Sequence, residues 1–144
     1  MAWAERSIEI EASLDAVWKV ITDFESYPEF LADMQAARVE SRDGSERVRA
    51  SFELQILKRI RYTLDFNLEP PTRLDWTLVK GDFMKRNEGG WRLEAMEGGR
   101  TRATYRIALA LGAIVPESIT TRLAAEQLPS TLDAFKTRIE GSPA

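Results

Sequence analysis

A strand followed at once by a capped helix, close to the start of the chain, is the feature that most limits how this sequence can fold. Residues 6–11 alternate between apolar and polar side chains, which is typical of a half-buried strand. Ser13 is a favourable N-cap residue, and apolar side chains then recur at helical spacing over residues 14–21. Pro28 favours the first turn of a second short helix over residues 28–31. This is an uncommon start for a mostly β domain.

The middle of the chain alternates between apolar and polar residues, in segments that are separated by turn signals. Asp43-Gly44 is a strong hairpin dipeptide, Pro70-Pro71 breaks the chain, and Gly89-Gly90 predicts a β-bulge. Because each segment has one apolar and one polar face, the pattern predicts an antiparallel sheet that is covered on one side. The predicted strands are residues 37–42, 48–56, 60–68, 74–78, 87–95 and 101–109.

The last part of the chain changes to a helical period. Residues 116–140 predict one long helix, which Pro129 should kink because proline removes a backbone hydrogen bond. We predict an α+β fold in one domain, residues 1–144, in which a curved antiparallel sheet of about seven strands wraps around this helix. A helical wheel places on one side of the helix Thr121, Ala124, Leu128, Leu132, Phe135 and Ile139.

The composition excludes several kinds of site. The chain contains no cysteine and no histidine, which rules out disulfides, a thiol nucleophile, a Ser-His-Asp triad and the ordinary zinc site. We therefore assign no catalytic residue, no metal ligand and no cofactor. The net charge of −3 argues against DNA as a partner. The N-terminal segment lacks the apolar run of a signal peptide, so we expect a cytoplasmic protein whose contact with membranes is at most transient.

Three segments of the sequence together resemble one protein superfamily. They are the opening segment 12–30, the pair Gly81-Asp82-Phe83 and Gly90-Trp91-Arg92-Leu93, and residues 98–105. In this order they resemble the START-like or polyketide cyclase/dehydrase (SRPBCC, helix-grip) superfamily, near its polyketide cyclase-like and coenzyme Q-binding COQ10/RatA branch. The resemblance implies a hydrophobic cavity between the sheet and the long helix, and ligands such as sterols, lipids, quinones or polyketides. Because the same fold serves carriers, cyclases and ribosome-directed toxins, function must be argued from the site.

Apolar and aromatic side chains on the predicted inner faces are the candidate ligand-binding residues. Each of them is either part of a packed core or part of a cavity lining. The polar ends of the tyrosines and tryptophans either orient a ligand or bond to backbone or water. The candidates are Phe52, Leu54, Tyr62, Leu64, Phe66, Trp76, Trp91, Tyr105, Leu128, Leu132 and Phe135.

The leading hypothesis is the binding, or transport, of a hydrophobic small molecule such as a lipid, quinone or polyketide under the long helix. Residues 81–84 and 111–116 are the candidate gate. The first alternative is an enzyme of the polyketide aromatase/cyclase type, for which Tyr62, Tyr105 and Asp65 are the nearest candidates, although Asp65 lies on the wrong strand face. The second alternative is a toxin-like interaction protein.

Two sets of charged residues have open interpretations. Arg122 and Glu126 form either a solvated ion pair or part of the cavity mouth. A basic cluster is either a solvated outer face or a patch for RNA or phospholipid headgroups. An apolar cavity would favour a carrier, convergent polar groups an enzyme, and a collapsed interior with a basic patch an interaction protein. The cluster consists of Arg47, Arg49, Lys58, Arg59 and Arg61.

Overall fold

A computed structural model describes residues 2–55, 59–112 and 115–141, apart from the side chains of residues 2 and 122–127. It confirms the α+β helix-grip fold, with a seven-stranded antiparallel sheet, short helices after the first strand and a long C-terminal helix. In these parts of the chain no helix is long and apolar enough to cross a membrane. The elements are β1 (Ala2–Ile10), α1 (Leu14–Ile21), a 3₁₀ helix (Phe24–Glu29), β2 (Met34–Asp43), β3 (Arg47–Gln55), β4 (Arg59–Glu69), β5 (Arg73–Gly81), β6 (Met84–Ala95), a 3₁₀ turn (Glu97–Gly99), β7 (Thr101–Leu111) and α2 (Glu117–Glu140).

The sheet has the strand order β1-β7-β6-β5-β4-β3-β2, and every neighbouring pair is antiparallel. Strands β2 to β7 therefore form one continuous meander, and β1 returns beside β7 at the opposite edge from β2. Helix α2 packs against β1 and β7, and the 3₁₀ helix packs against β2. The apolar side chains of the sheet consequently face α2 on one side, while the other side meets solvent.

The opening segment folds largely as its pattern predicts. The Ser13 hydroxyl caps α1 by accepting a hydrogen bond from the Ala16 amide at 3.2 Å. The second short helix was misplaced, since it runs from Phe24 to Glu29 instead of over residues 28–31. Phe24 and Tyr27 are both buried in it, so the packing of two aromatic rings, and not the proline, decides where this turn begins.

The predicted bulge at Gly89-Gly90 is wrong. Strand β6 keeps its register with β7 through both glycines, and they pair with Trp76 and Asp75 on β5 without a register shift, the pairing with β5 ending at Gly89. A Cβ atom at Gly89 would lie 2.0 Å from the Arg106 carbonyl oxygen, so the glycine is needed for a close approach of backbone and side chains. A glycine within a strand can mark either a β-bulge or a place where no side chain fits, and Gly89 is the second case.

Helix α2 is continuous through Pro129, and Leu128, Leu132, Phe135 and Ile139 are buried as predicted. At its start the wheel was wrong, because Thr121 is exposed and Thr120 is buried. The two halves of the helix therefore do not share one straight apolar face, as a wheel drawn on a regular axis assumes. The side chains of Ala124, Arg122 and Glu126 lie outside the described residues.

Two buried threonines predict opposite effects of the same substitution. The Thr120 hydroxyl is buried and has no hydrogen-bond partner among the described residues, whereas the Thr101 hydroxyl donates to the Ala12 carbonyl at 2.8 Å. We expect Thr120→Val to raise the free energy of unfolding by about 1 kcal/mol, because it removes an unpaired buried polar group. We expect Thr101→Val to lower it by about 1–2 kcal/mol, because the Ala12 carbonyl loses its donor. Urea denaturation checks both values, and equal signs for the two variants would contradict the assignment.

Candidate functional site

A cavity of about 310 Å³ lies between the concave face of the sheet and α2. Its walls come from the 3₁₀ helix and the turn after it, from strands β2 to β7 and from the middle of α2. Most of the wall surface is apolar, as in small-molecule sites generally. The predicted site residues that line it are Phe52, Leu54, Tyr62, Leu64, Phe66, Trp76, Trp91, Tyr105, Leu128 and Phe135.

Two residues that the sequence brought forward lie elsewhere. Leu132 is only 1 % exposed and packs into the core, but it is not part of the cavity wall, to which α2 contributes Leu128, Ser130, Thr131, Ala134 and Phe135. Asp65 lies on the outer face of the sheet, where its carboxylate accepts a hydrogen bond from Arg49 at 2.7 Å. The hydrogen bond from Arg49 lowers the pKa of the Asp65 carboxyl, which therefore stays charged at neutral pH. Asp65 is not among the residues that line the cavity. Contact of a ligand with any of the predicted residues stays a prediction.

The wall also contains residues that sequence reasoning missed. Tyr27 and Phe30 come from the opening segment, and their rings pack against Phe135 at 5.3 Å and 5.0 Å between centroids. Asn87 faces the cavity from β6. A signal for Asn87 was present, because it lies an even number of residues before Trp91 and therefore on the same face of the strand. The turn residues had no such periodic signal.

Because Gly89 on β6 has no side chain, two aromatic rings from the neighbouring strands meet across β6. Trp76 on β5 lies opposite Gly89, and its ring reaches over this glycine to Tyr105 on β7, 5.4 Å between centroids. Trp91 then packs edge-on against Tyr105 at 4.9 Å. The floor of the cavity is thus a continuous aromatic surface that depends on one glycine.

Some polar groups of the wall are occupied by protein partners. The Trp76 indole NH donates to the Asn87 side-chain oxygen at 3.0 Å, and the Asn87 amide in turn faces the Met84 sulfur at 3.9 Å. The Tyr27 hydroxyl donates to the Ile21 carbonyl. These groups hold the wall together, so they are less available to a ligand.

The hydroxyl groups of Tyr62 and Tyr105 are different. Both residues line the cavity, and neither hydroxyl has a hydrogen bond to any residue in the described part of the chain. Burial raises the pKa of both phenols, and the proximity of Tyr105 raises the pKa of Tyr62 further. At neutral pH both are therefore protonated, and each is a hydrogen-bond donor that faces the cavity.

Charge is nearly absent from the cavity. Among the described residues that line it, none is a lysine or arginine, and the only carboxylate is that of Asp33, while Ser130 and Thr131 add hydroxyl groups. Over the same described residues, no cluster of three or more carboxylates could hold a metal ion. The chemistry that the cavity offers is apolar contact and neutral hydrogen bonding.

The two predicted gate segments contact each other. The Gly112 amide donates to the Phe83 carbonyl, and Met84 and Leu111, next to these residues, line the cavity. Phe83 has a backbone φ of 58°, a conformation that residues other than glycine rarely adopt. Residues 113–114 of the predicted gate lie outside the described residues, and its opening stays a prediction.

The basic cluster on the outer face is largely paired with carboxylates. Arg49 pairs with Asp65, and Arg59 and Arg61 both pair with Glu53, at 3.8 Å and 3.2 Å. Lys58 lies outside the described residues. Paired arginines at an exposed surface give a weaker field for RNA or lipid headgroups than the same arginines alone.

Sequence and fold comparisons agree with the geometry. A family model described as polyketide cyclase/dehydrase and lipid transport matches residues 10–136, and the chain belongs to this family. A search of curated proteins gives no match.

Solved structures with the same fold include proteins of different activities. A START superfamily protein from Mycobacterium smegmatis has a TM-score of 0.87 and 17 % identity, with 97 % of this chain and 98 % of that chain covered. The Zhui aromatase/cyclase from Streptomyces sp. R1128 has a TM-score of 0.77 and 14 % identity, over 96 % and 91 % of the two chains. A STAR-related lipid transfer protein from Xanthomonas axonopodis has a TM-score of 0.78 and 14 % identity, over 95 % and 85 %. At these identities the similarity shows the fold and leaves the ligand open.

Proposed function

We propose that this protein binds a hydrophobic small molecule, of the lipid, quinone or polyketide type, in the cavity beneath α2. The observation that carries the proposal is the cavity itself, which has an apolar aromatic wall in a fold that could have filled this space with side chains. An apolar ligand that enters it leaves water for contacts with the rings of the wall. Release of the same ligand elsewhere would make the protein a carrier.

The volume limits the size of the ligand. Small-molecule sites usually enclose about 300–1,000 Å³, and 310 Å³ lies at the lower end of that range. A compact ring system or a short isoprenoid fits such a space, whereas a complete phospholipid with two acyl chains does not. The proposal therefore favours a quinone-like or polyketide-like ligand within the family's range.

Blocking the cavity tests the proposal. Ala134 lies on α2 and lines the cavity, so Ala134→Trp should fill part of it, while Ala36→Trp adds the same side chain at an exposed position on β2. We expect the neutral dye N-phenyl-naphthylamine to bind the wild-type protein with enhanced fluorescence. We expect binding to weaken about tenfold or more in Ala134→Trp and to change little in Ala36→Trp. Equal dye binding by both variants would mean that the cavity is not the binding site.

An enzyme of the aromatase/cyclase type is the second candidate. It is favoured by the Tyr62 and Tyr105 hydroxyls, since two donors inside an apolar cavity can hold a flexible chain in a reactive geometry. The raised pKa of both phenols limits this role, because neutral phenols do not act as proton acceptors at neutral pH. A toxin-like interaction protein has less support, since the interior is open and Arg49, Arg59 and Arg61 of the outer cluster are paired with carboxylates.

A further inference from the structure

We propose that Tyr62 and Tyr105 form a donor subsite for carbonyl oxygen, so that the preferred ligand is a neutral aromatic ketone or quinone and not a hydrocarbon or a carboxylic acid. This inference rests on the proposed binding function and specifies the chemical class of the ligand. It concerns two side chains whose hydroxyls have no hydrogen bond to any described residue, in a wall where Tyr27, Trp76 and Asn87 bond to other protein groups.

The first step is that neither hydroxyl has a hydrogen-bond partner among the residues that the structure describes. Buried polar groups are almost always hydrogen-bonded, because an unpaired one loses its interactions with water and gains nothing. Tyr27, in the same wall, follows the rule by donating to the Ile21 carbonyl. Tyr62 and Tyr105 have no such partner among the described residues, and neither hydroxyl is one of the fully enclosed unpaired atoms there, so both open to the cavity and are available to a ligand that supplies an acceptor.

The second step is that both rings are held in place. Tyr62 stacks on Phe52 with centroids 5.4 Å apart, and Tyr105 lies between Trp76 and Trp91, at 5.4 Å and 4.9 Å. Donors on side chains fixed by ring packing lose little freedom when a ligand binds, which increases the affinity that each hydrogen bond contributes.

The third step concerns the kind of acceptor. A neutral phenol donates one hydrogen bond, and a carbonyl oxygen has two lone pairs that can accept from two donors or from one donor and water. A ketone or quinone oxygen carries no proton of its own that would compete for the same contact. The aromatic floor formed by Trp76, Trp91 and Tyr105 suits a flat ring system next to that oxygen.

The fourth step concerns charge. No lysine or arginine lines the cavity within the described residues, and its one carboxylate is Asp33. A carboxylate ligand would lose its hydration without gaining a counter-ion, and Asp33 would repel it. The cavity should therefore discriminate against fatty acids and other organic acids of similar size.

Three probes of nearly equal shape test this inference. Fluorene is the hydrocarbon, fluorenone adds one carbonyl oxygen, and fluorene carboxylate adds a negative charge. Displacement of N-phenyl-naphthylamine should show that the wild-type protein binds fluorenone about two- to tenfold more tightly per hydroxyl engaged than fluorene. Fluorene carboxylate should bind more than about tenfold more weakly than fluorene.

Three conservative variants locate the effect. Tyr62→Phe and Tyr105→Phe should each reduce the preference for fluorenone over fluorene, and the double variant should abolish it, while fluorene binding stays within about twofold. Thr101→Val is the control, because it removes a buried hydroxyl that bonds to the Ala12 carbonyl outside the cavity wall, so it should lose stability and keep the preference. The infrared carbonyl stretch of bound fluorenone should lie at lower frequency in the wild-type protein than in the double variant.

The outcomes separate the two proposals. If fluorene and fluorenone bind equally well and the Tyr→Phe variants change neither affinity, the carbonyl subsite is wrong and the binding function stands. If none of the neutral probes binds the wild-type protein, the binding function itself is wrong. If fluorene carboxylate binds best, a cation reaches the cavity and the proposed selectivity is overturned.

Discussion

Replacing Gly89 with alanine is expected to leave this protein largely unfolded. The added Cβ would lie 2.0 Å from the Arg106 carbonyl oxygen and 2.7 Å from the Trp76 ring. Neither neighbour can move cheaply, since the first is the backbone of β7 and the second is a buried ring that donates to Asn87. We expect the free energy of unfolding to fall by about 4 kcal/mol or more, which is a large part of the stability of an ordinary domain.

A second glycine supplies the control for Gly89→Ala. Among the described residues, a Cβ at Gly112 would meet the Phe83 backbone alone, at an ordinary contact distance of 3.6 Å. Gly112→Ala should therefore change the free energy of unfolding by less than about 1 kcal/mol. Circular dichroism during thermal unfolding measures both variants. A Gly89→Ala protein that unfolds at the wild-type temperature would show that β6 and β7 do not approach as closely as described.

The Gly89→Ala prediction also bears on the site. Trp76 reaches Tyr105 only because the strand between them has no side chain at this point. Any variant that displaces the Trp76 ring should remove part of the cavity floor as well as stability. A partly folded Gly89→Ala protein is therefore expected to bind N-phenyl-naphthylamine without the preference for fluorenone.

Truncation of Trp91 is expected to have the second-largest effect. Its side chain is 2 % exposed, and its ring contacts Tyr105 at 4.9 Å and Phe135 on α2 at 5.2 Å. Trp91→Ala removes these contacts and leaves a space that the neighbouring rings cannot fill completely. We expect the free energy of unfolding to fall by about 3–5 kcal/mol.

The same truncation at the surface is the control. Trp3 is 65 % exposed on the edge strand β1, so Trp3→Ala should change the free energy of unfolding by no more than about 0.5 kcal/mol. Urea denaturation of the two variants compares identical chemistry in two environments. Similar losses for both would mean that Trp91 does not join the sheet to α2.

Trp91 also shows that core and cavity lining are not exclusive roles. It belongs to the main apolar cluster of the domain and is at the same time part of the cavity wall. The sequence posed these roles as alternatives for each aromatic residue, because burial and lining demand the same apolar side chain. In the structure one face of a ring packs while another borders the open space.

Local patterns were sufficient for most of the architecture. The period-two segments identified every strand of the meander, and Ser13 capped the first helix as expected. Such features depend on interactions between residues that are close in sequence. The same two-residue period places Asn87 on the face of β6 that carries Trp91, so the alternation alone predicts that Asn87 faces the cavity.

Other features depended on contacts between distant residues, and no local pattern contains them. The position of the 3₁₀ helix follows from the burial of Phe24 against Phe66 on β4, with 4.3 Å between the two ring centroids. The role of Gly89 follows from the backbone of β7, and the burial of Thr120 from the way α2 lies on the sheet. These outcomes are set by distances that exist only after the strands have paired and the sheet has curved.

The sequence by itself determined the class of fold, the apolar face of the sheet and the absence of histidine and cysteine chemistry, because periodicity and composition are properties of the chain alone. Only the tertiary structure decided that the apolar face encloses about 310 Å³ of space and that Leu132 packs outside it. It also decided that the hydroxyls of Tyr62 and Tyr105 line this space without a partner among the described residues. The physical reason is that a cavity is volume which side chains from several strands and one helix leave unfilled. Its size and polarity depend on how those elements meet, which no single segment specifies.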